Sequence, residues 1–481
     1  MQGFTLDVDY HAILPELILA GTVLVVLLVD LVLRLDRKWW AMPISFVGVL
    51  GSLVATLTLL GSTPRTTFGT YVVDDFAILF KVFFLAVALV ILIVSLRYFR
   101  EGRYFQGEYY FLLLTAFLGM LTISSSRDLL MLFISLELVS APAFLIAGLR
   151  KRDPRSNEAA MKFFLIGILA AAVMLYGMSL IYGATGSIAL ADIAEGIEGA
   201  GRPLVLAGAL FIIAGFGFKI SSVPFHFWAP DTYEGSPIPV AAFLSVASKA
   251  AGFAGLLQIM FVGFAPTSED WTPIFAVLAI LTMTIGNLIA LQQTQVVRLL
   301  AYSSVAQAGY MMVPFALAGS GVDERAIAAA VLYILIYGVM NLGAFAVVIA
   351  MSREAPGTLI SDFAGMSRRN PLLAVSMLLF LLSLAGIPPL AGFWAKFQIF
   401  AVAISAEQAY LAVAVVVNSV ISLYYYAAIA KQMFFVEGIE DRPLRAPALV
   451  TGVVALAAAA IVVVGIFPDL FAGFPGNATL P

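Results

Sequence analysis

The sequence predicts an all-α polytopic membrane protein of about 14 transmembrane helices, with two inverted five-helix repeats, helices 4-8 and 9-13, in which helices 7 and 12 are broken. Three observations predict it. Of the 481 residues, 62% are hydrophobic and 11% charged, where ordinary soluble proteins carry about a quarter charged residues. The mean hydropathy is +1.02. The apolar residues come in runs of about 18 to 25, the length that crosses a hydrocarbon layer about 30 Å thick. Two of those runs hold proline, glycine and lysine together, and broken helices at membrane depth occur where backbone is buried in protein or lines a wet cavity.

In order, the predicted spans are residues 12-33, 41-61, 75-96, 109-125, 128-149, 158-183, 203-229, 237-264, 272-293, 296-318, 325-351, 371-404, 407-434 and 446-468. The first is preceded by Asp7 and Asp9 and by no basic segment or small-residue cleavage site, so no signal peptide is expected. Glu16, Asp30 and Glu158 fall near helix ends, where water reaches them. If the N-terminus is outside, sixteen loop cations lie inside, from Arg34, Arg37 and Lys38 through Arg97, Arg100, Arg103, Arg150 to Arg155, Arg298, Arg353, Arg368 and Arg369 to Arg442 and Arg445. Four lie outside: Arg65, Arg127, Arg202 and Arg325. That asymmetry places both termini on the outer side.

The repeats rest on breaks matched five helices apart. Pro224 through Trp228 in helix 7 parallels Pro389 through Trp394 in helix 12, and an odd helix offset inverts the topology. The expected division is residues 1-105 for helices 1-3, 106-265 and 266-436 for the two repeats, and 437-481 for helix 14.

Every cation inside a predicted span is lysine: Lys81, Lys162, Lys219, Lys249, Lys396 and Lys431. A charge at mid-membrane costs about 2.5 to 3.5 kcal/mol on insertion scales, so such a residue points to an ion or proton path. Lysine changes its protonation readily when buried, whereas arginine holds its charge. Lys219 stands five residues before Pro224, Lys249 twelve after Pro237, and Lys396 seven after Pro389. Glu137, five before Pro142, lies roughly 15 Å into the core at about 1.5 Å per residue. The plainer reading of Glu137 is an acid that pairs with a lysine to hold the bundle; as a pair that opens and closes it is a proton gate. Lys162, close behind Glu158, has snorkelling as its plainer reading. Lys81 and Lys431 are weaker candidates. His226, two residues past Pro224, has an ordinary pKa near 6.5 and suits proton transfer at neutral pH. No phosphate-cradling loop or nucleophilic triad is present. With no cysteine and two distant histidines, neither iron–sulfur ligation nor a metal site is expected, and any redox cofactor belongs to another chain.

Residues carrying a family likeness are Leu136-Glu-Leu138, Phe218-Lys-Ile-Ser-Ser-Val-Pro-Phe-His-Phe-Trp-Ala-Pro-Asp-Thr-Tyr-Glu-Gly235, Ser248-Lys249, Arg298-Leu-Leu-Ala-Tyr-Ser-Ser304, Ala308-Gly-Tyr310 and Gly386-Ile-Pro-Pro-Leu-Ala-Gly-Phe-Trp-Ala-Lys396. On these the chain resembles the antiporter-like subunits of respiratory complex I, the proton-translocating NADH-quinone oxidoreductase, most closely those of the subunit N type. The likeness covers roughly residues 110 to 430, and its helix 7 string is the most specific part. It implies that Glu137 and Lys219 pair, that Lys249 and Lys396 are the central and terminal lysines, and that His226 connects Lys219 to Lys249. It implies quinone reduction on other subunits, with NADH, FMN, iron–sulfur clusters and quinone there and no cofactor on this chain. It also implies membrane-arm neighbours of the K, J, M, L, A and H types, protons and internal water as cargo, no nucleic acid, and a bacterial inner membrane. Alternatives are a subunit of a multi-subunit sodium/proton antiporter and a non-pumping scaffold. The sequence departs from the likeness at Gln307, where relatives often have histidine, and at Val297, where lysine is common.

Overall fold

Helices account for nearly all of the computed structural model, which describes residues 8–101, 106–352, 358–438, 443–444 and 446–469. Asp7 and the loop arginines Arg103, Arg353, Arg442 and Arg445 lie outside the described residues. The first bundle is α1 (Leu14–Val32), α2 (Ala41–Leu57), α3 (Asp75–Glu101), α4 (Gln106–Ser125) and α5 (Leu129–Ala147). Between α2 and α3, β1 (Arg65–Thr67) pairs antiparallel with β2 (Tyr71–Val73). There follow α6 (Pro154–Thr185), a short α7 (Leu190–Ile197), and a broken span of α8 (Arg202–Ile220) and α9 (Trp228–Gly235). Next come α10 (Ile238–Phe243) and α11 (Lys249–Gln258), joined by a π turn at Leu244–Ser248, then α12 (Ser268–Ala290), α13 (Val296–Met312) and α14 (Asp323–Met351). The chain ends with a single turn α15 (Met366–Arg369), a second broken span of α16 (Pro371–Ala385) and α17 (Ala391–Ser405), then α18 (Ala409–Phe435) and α19 (Ala448–Ile466).

Twelve helical runs among the described residues are long and apolar enough to cross a bilayer. The 17-residue α13 and the paired half-helices α16 and α17 bring the crossings to the fourteen expected. The chain is an integral membrane protein. Its sides follow from apolar chemistry, because a lipid-facing surface needs no polar cover. Leu24 and Leu28 of α1, Leu165 and Leu169 of α6, and Val413 and Val420 of α18 are all exposed. The run of residues 238–260 is instead wholly buried, which puts α10 and α11 at the centre.

Both breaks fall where the sequence places them. The first half-helix ends at Ser221, which adopts a left-handed φ of 61°. Pro224 then supplies no backbone donor, so the helix cannot run on. Loose ends are tied by side chains: the Val223 amide donates to Thr282 Oγ1 at 3.0 Å, and Trp228 Nε1 donates to the Phe218 carbonyl at 3.0 Å. The second break turns at Gly386, whose φ of 90° suits glycine. Gly392 receives its partner there from Ser383, whose Oγ accepts the Gly392 amide at 3.0 Å.

Two expectations about termini of helices change. Glu16 is 8% exposed and Arg127 is 6% exposed, so neither sits in water. The hairpin of β1 and β2 folds back over their end of the bundle, with the Arg127 amide bonded to the Thr70 carbonyl at 2.8 Å.

Candidate functional site

Four lysines are buried among the described residues: Lys81, Lys219, Lys249 and Lys396. Three of them line the centre. Lys219 occupies the last turn of α8 and donates from Nζ to Ser140 Oγ on α5 at 2.9 Å. Ser140 in turn donates to the Leu136 carbonyl at 2.8 Å. Glu137 lies three residues before Ser140 and so shares its helix face. The acid is half-buried, and no salt bridge within 4.0 Å joins it to Lys219, although each feels the charge of the other. The described residues thus show Ser140, and not Glu137, holding the Lys219 ammonium.

Gly252 of α11 gives the Lys219 stem its room, since a Cβ there stands 3.0 Å from Lys219 Cγ. One turn earlier on the same helix is Lys249. Its Nζ donates to the Ser304 carbonyl at 2.6 Å and to Ser304 Oγ at 3.0 Å. The π turn immediately before Lys249 rotates the helix by one extra residue, a distortion frequent at functional sites. Asn341 of α14 braces that turn by donating to Ser245 Oγ at 2.9 Å.

At the neighbouring Ser303 a polar network begins that holds no histidine. Ser303 bonds the Tyr426 hydroxyl at 2.5 Å. Gln307 donates from Nε2 to Tyr426 at 3.2 Å and to the Leu384 carbonyl at 3.1 Å, and its Oε1 accepts from Tyr333. The next carbonyl, Ala385, accepts from Lys396 Nζ at 3.0 Å. Gln307 and Lys396 thus attach to consecutive carbonyls at the end of α16, where the half-helix dipole favours a cation. The Lys396 ammonium also stands 4.4 Å over the Tyr310 ring. A cavity of about 350 Å³, lined by Phe393, Phe397, Val416 and Val420 among others, opens beside it.

His226 and Lys162 lie apart from this line. His226 is buried in the connector after the break, with its ring 4.5 Å from that of Phe227. Its Nδ1 meets no hydrogen-bond partner among the described residues, and no bond joins it to either lysine. Lys162 is 44% exposed and pairs with Glu158 at 2.7 Å and Asp231 at 2.9 Å. Arg298 completes that group by reaching Asp231 and Glu234, each at 2.8 Å, around a cavity of about 140 Å³.

Sequence reasoning missed Ser140 as the ammonium acceptor, Tyr426 and Tyr333 as network members, and the polar end of α3. There Arg127 pairs with Asp74 at 2.5 Å and with Gln258 of α11. The usable signal was a buried arginine requiring an acid.

Buried ammoniums on two broken helices and beside a π turn, each held by hydroxyl or carbonyl oxygens, define a membrane subunit of the antiporter type. Residues 126–422 match the family described as NADH:quinone oxidoreductase/Mrp antiporter, TM. The chain belongs to that family, and within it to the subunit N group of NADH-quinone oxidoreductases. It is 38% identical to NADH-quinone oxidoreductase subunit N of Trichlorobacter lovleyi over 98% of this chain and 97% of that one. It is 43% identical to NAD(P)H-quinone oxidoreductase subunit 2 of Thermosynechococcus vestitus, covering 88% of this chain and 81% of the relative. A chain of respiratory complex I from Thermus thermophilus shares the fold with a TM-score of 0.82 and 34% identity, covering 95% of this chain and 98% of that one.

Proposed function

We propose that this proton-translocating membrane-arm subunit moves protons along Glu137, Lys219, Lys249 and Lys396, driven by quinone reduction on other subunits. The observation that carries the reading is that three buried lysines, on α8, α11 and α17, each hold a proton on neutral oxygens and, among the described residues, on no carboxylate within 4.0 Å. A lysine so placed keeps its charge by hydrogen bonds that a change of partner can weaken. Glu137 biases Lys219 by its charge. The exposed group of Lys162, Asp231 and Arg298 serves as the mouth on its side of the membrane, and His226 stands off the path.

The complex supplies NADH, FMN, iron–sulfur clusters and quinone from other chains, and its K, J, M, L, A and H type subunits are the neighbours. Both termini face the outer side of a bacterial plasma membrane, and the repeats divide at residues 106–265 and 266–436. In the assembled complex Lys219→Ala is expected to lower the proton-to-electron ratio and quinone reductase activity. Unchanged values for both overturn the assignment. Sodium-dependent exchange without NADH supports the antiporter alternative, and normal pumping by a quadruple alanine variant that assembles supports the scaffold.

A further inference from the structure

Lys81 is the fourth buried lysine, and the proposed path does not use it. It lies on α3, outside the matched residues 126–422. It is fully buried, and among the described residues it alone of the four has a carboxylate within 4.0 Å: Glu16 Oε1 of α1 stands 2.9 Å from its Nζ. The contact is electrostatic without being aligned. Neither Glu16 oxygen accepts a hydrogen bond among the described residues, although both are shielded from the surface. Lys81 donates instead to the Tyr71 hydroxyl at 3.2 Å, from the strand that caps this end of the bundle. Tyr71 also interacts with Glu16 and with Ser125 of α4, and the Ser125 hydroxyl meets no aligned partner. Other charges at this end have partners of their own: Asp74 pairs with Arg127 at 2.5 Å, Asp128 accepts from the Thr70 hydroxyl and the Met131 amide, and Asp9 pairs with Arg65.

A carboxylate kept only to brace two helices is expected to have its lone pairs filled, because desolvating it without hydrogen bonds is costly. Oxygens without an aligned donor, one of them 2.9 Å from an ammonium, suit a group that accepts its proton. We propose that Glu16, Lys81 and Tyr71 form a further proton-exchange site, apart from the central lysines. In the exchange the Lys81 N–H bond breaks and an O–H bond forms on Glu16, so ammonium and carboxylate become amine and acid with no change of net charge. Release of the acid proton to water and protonation of the amine from water restore the pair. Tyr71 orients the Lys81 donor and controls access from the capped end. The inference rests on the proton-translocating reading but on none of the central residues.

Lys81→Arg is the test, because arginine keeps the ion pair and cannot give up its proton. In the assembled complex in proteoliposomes it is expected to retain quinone reductase activity with a lowered proton-to-electron ratio. The NADH-induced infrared difference spectrum is expected to lose a carboxyl band in Glu16→Gln, and Lys81→Arg is expected to lose the same band. A ratio equal to wild type in Lys81→Arg, with every carboxyl band kept in Glu16→Gln, makes the pair a structural brace and overturns the inference. Should arginine prevent assembly, the neutral double variant Glu16→Gln with Lys81→Met carries the same ratio measurement, and a wild-type ratio there is equally fatal. Lys219→Ala is measured beside them. A lowered ratio in that variant alone removes this site and leaves the central path standing.

Discussion

Gln307→Leu removes the side chain that joins the two halves of the polar line. The amide is fully buried and makes three bonds, accepting from Tyr333 and donating to Tyr426 and to the Leu384 carbonyl. Leucine fills nearly the same volume and replaces none of them. Tyr426 keeps Ser303, but the Tyr333 hydroxyl and the Leu384 carbonyl lose the partner that Gln307 gave them. Each buried group left unpaired costs about 1–3 kcal/mol, so the variant is expected to lose roughly 2–6 kcal/mol of stability. The functional loss has a separate cause. Gln307 donates to the Tyr426 oxygen, which also shares a hydrogen bond with Ser303, so the amide positions that hydroxyl in the line without passing a proton itself. Gln307→Leu should therefore lower the proton-to-electron ratio of the assembled complex. Gln307→His should keep it, because an imidazole both donates and accepts and protonates near neutral pH. The assay is acidification of proteoliposomes against NADH oxidation, with thermal melting of the same preparation. A leucine variant that melts lower yet pumps at the wild-type ratio refutes the reasoning, since it separates the network from transport.

Further outcomes follow from single contacts. Gly252→Val should reduce pumping without altering any ionisable group, because its Cβ meets the Lys219 stem; proton-to-electron ratio measures it. Gly386→Val should melt several degrees lower, since the site needs both a positive φ and room for the Lys396 Cδ, and thermal unfolding followed by circular dichroism checks this. Lys162→Ala should cost only about 0–1 kcal/mol in the same assay, as expected of pairs this exposed to solvent. The Ala12 amide, opposed by burial and helped by Arg65, holds the Asp9 carboxyl below its ordinary 3.8. A depressed folded value gives stability that is present above the unfolded value and lost as pH falls through the folded one. Asp9→Asn should thus lower the melting temperature at neutral pH, leave it unchanged at acid pH, and so flatten the acid end of the profile.

Residue order along a membrane helix reports depth, and depth was legible. The breaks at Pro224 and Pro389 and the central positions of Lys219, Lys249 and Lys396 all followed from counting apolar residues. Which way a side chain points around the helix is set by packing against elements far away in sequence, and there the reading failed. Glu16 counted as near an end, yet the hairpin at Tyr71 seals that end. Arg127 counted as a loop cation, yet Asp74 and Gln258 enclose it. Ser140 had nothing to distinguish it from other serines until α8 brought Lys219 against it.

That last contact bears on how a signal could reach the lysines. A hydrogen bond such as Lys219 to Ser140 is lost within a fraction of an ångström, whereas Coulombic attraction falls only with inverse distance and is strong where water is excluded. Under the proposed function Glu137 acts on Lys219 without touching it. It is half-buried on α5, whose Leu130, Ile134 and Leu145 are exposed and suit a neighbouring apolar surface. Under the proposed function, a neighbour that places or withdraws a charge beside Glu137 alters the field at Lys219 while Ser140 keeps the ammonium in place. The proton is then driven by a change of potential at fixed geometry, which requires no rearrangement of the α8 break. Ser140→Ala should loosen that positioning and slow transport while Glu137→Gln removes the driving field. The double variant should match Glu137→Gln alone in proton-to-electron ratio. Additive losses in that cycle would mean that serine and acid act on different steps.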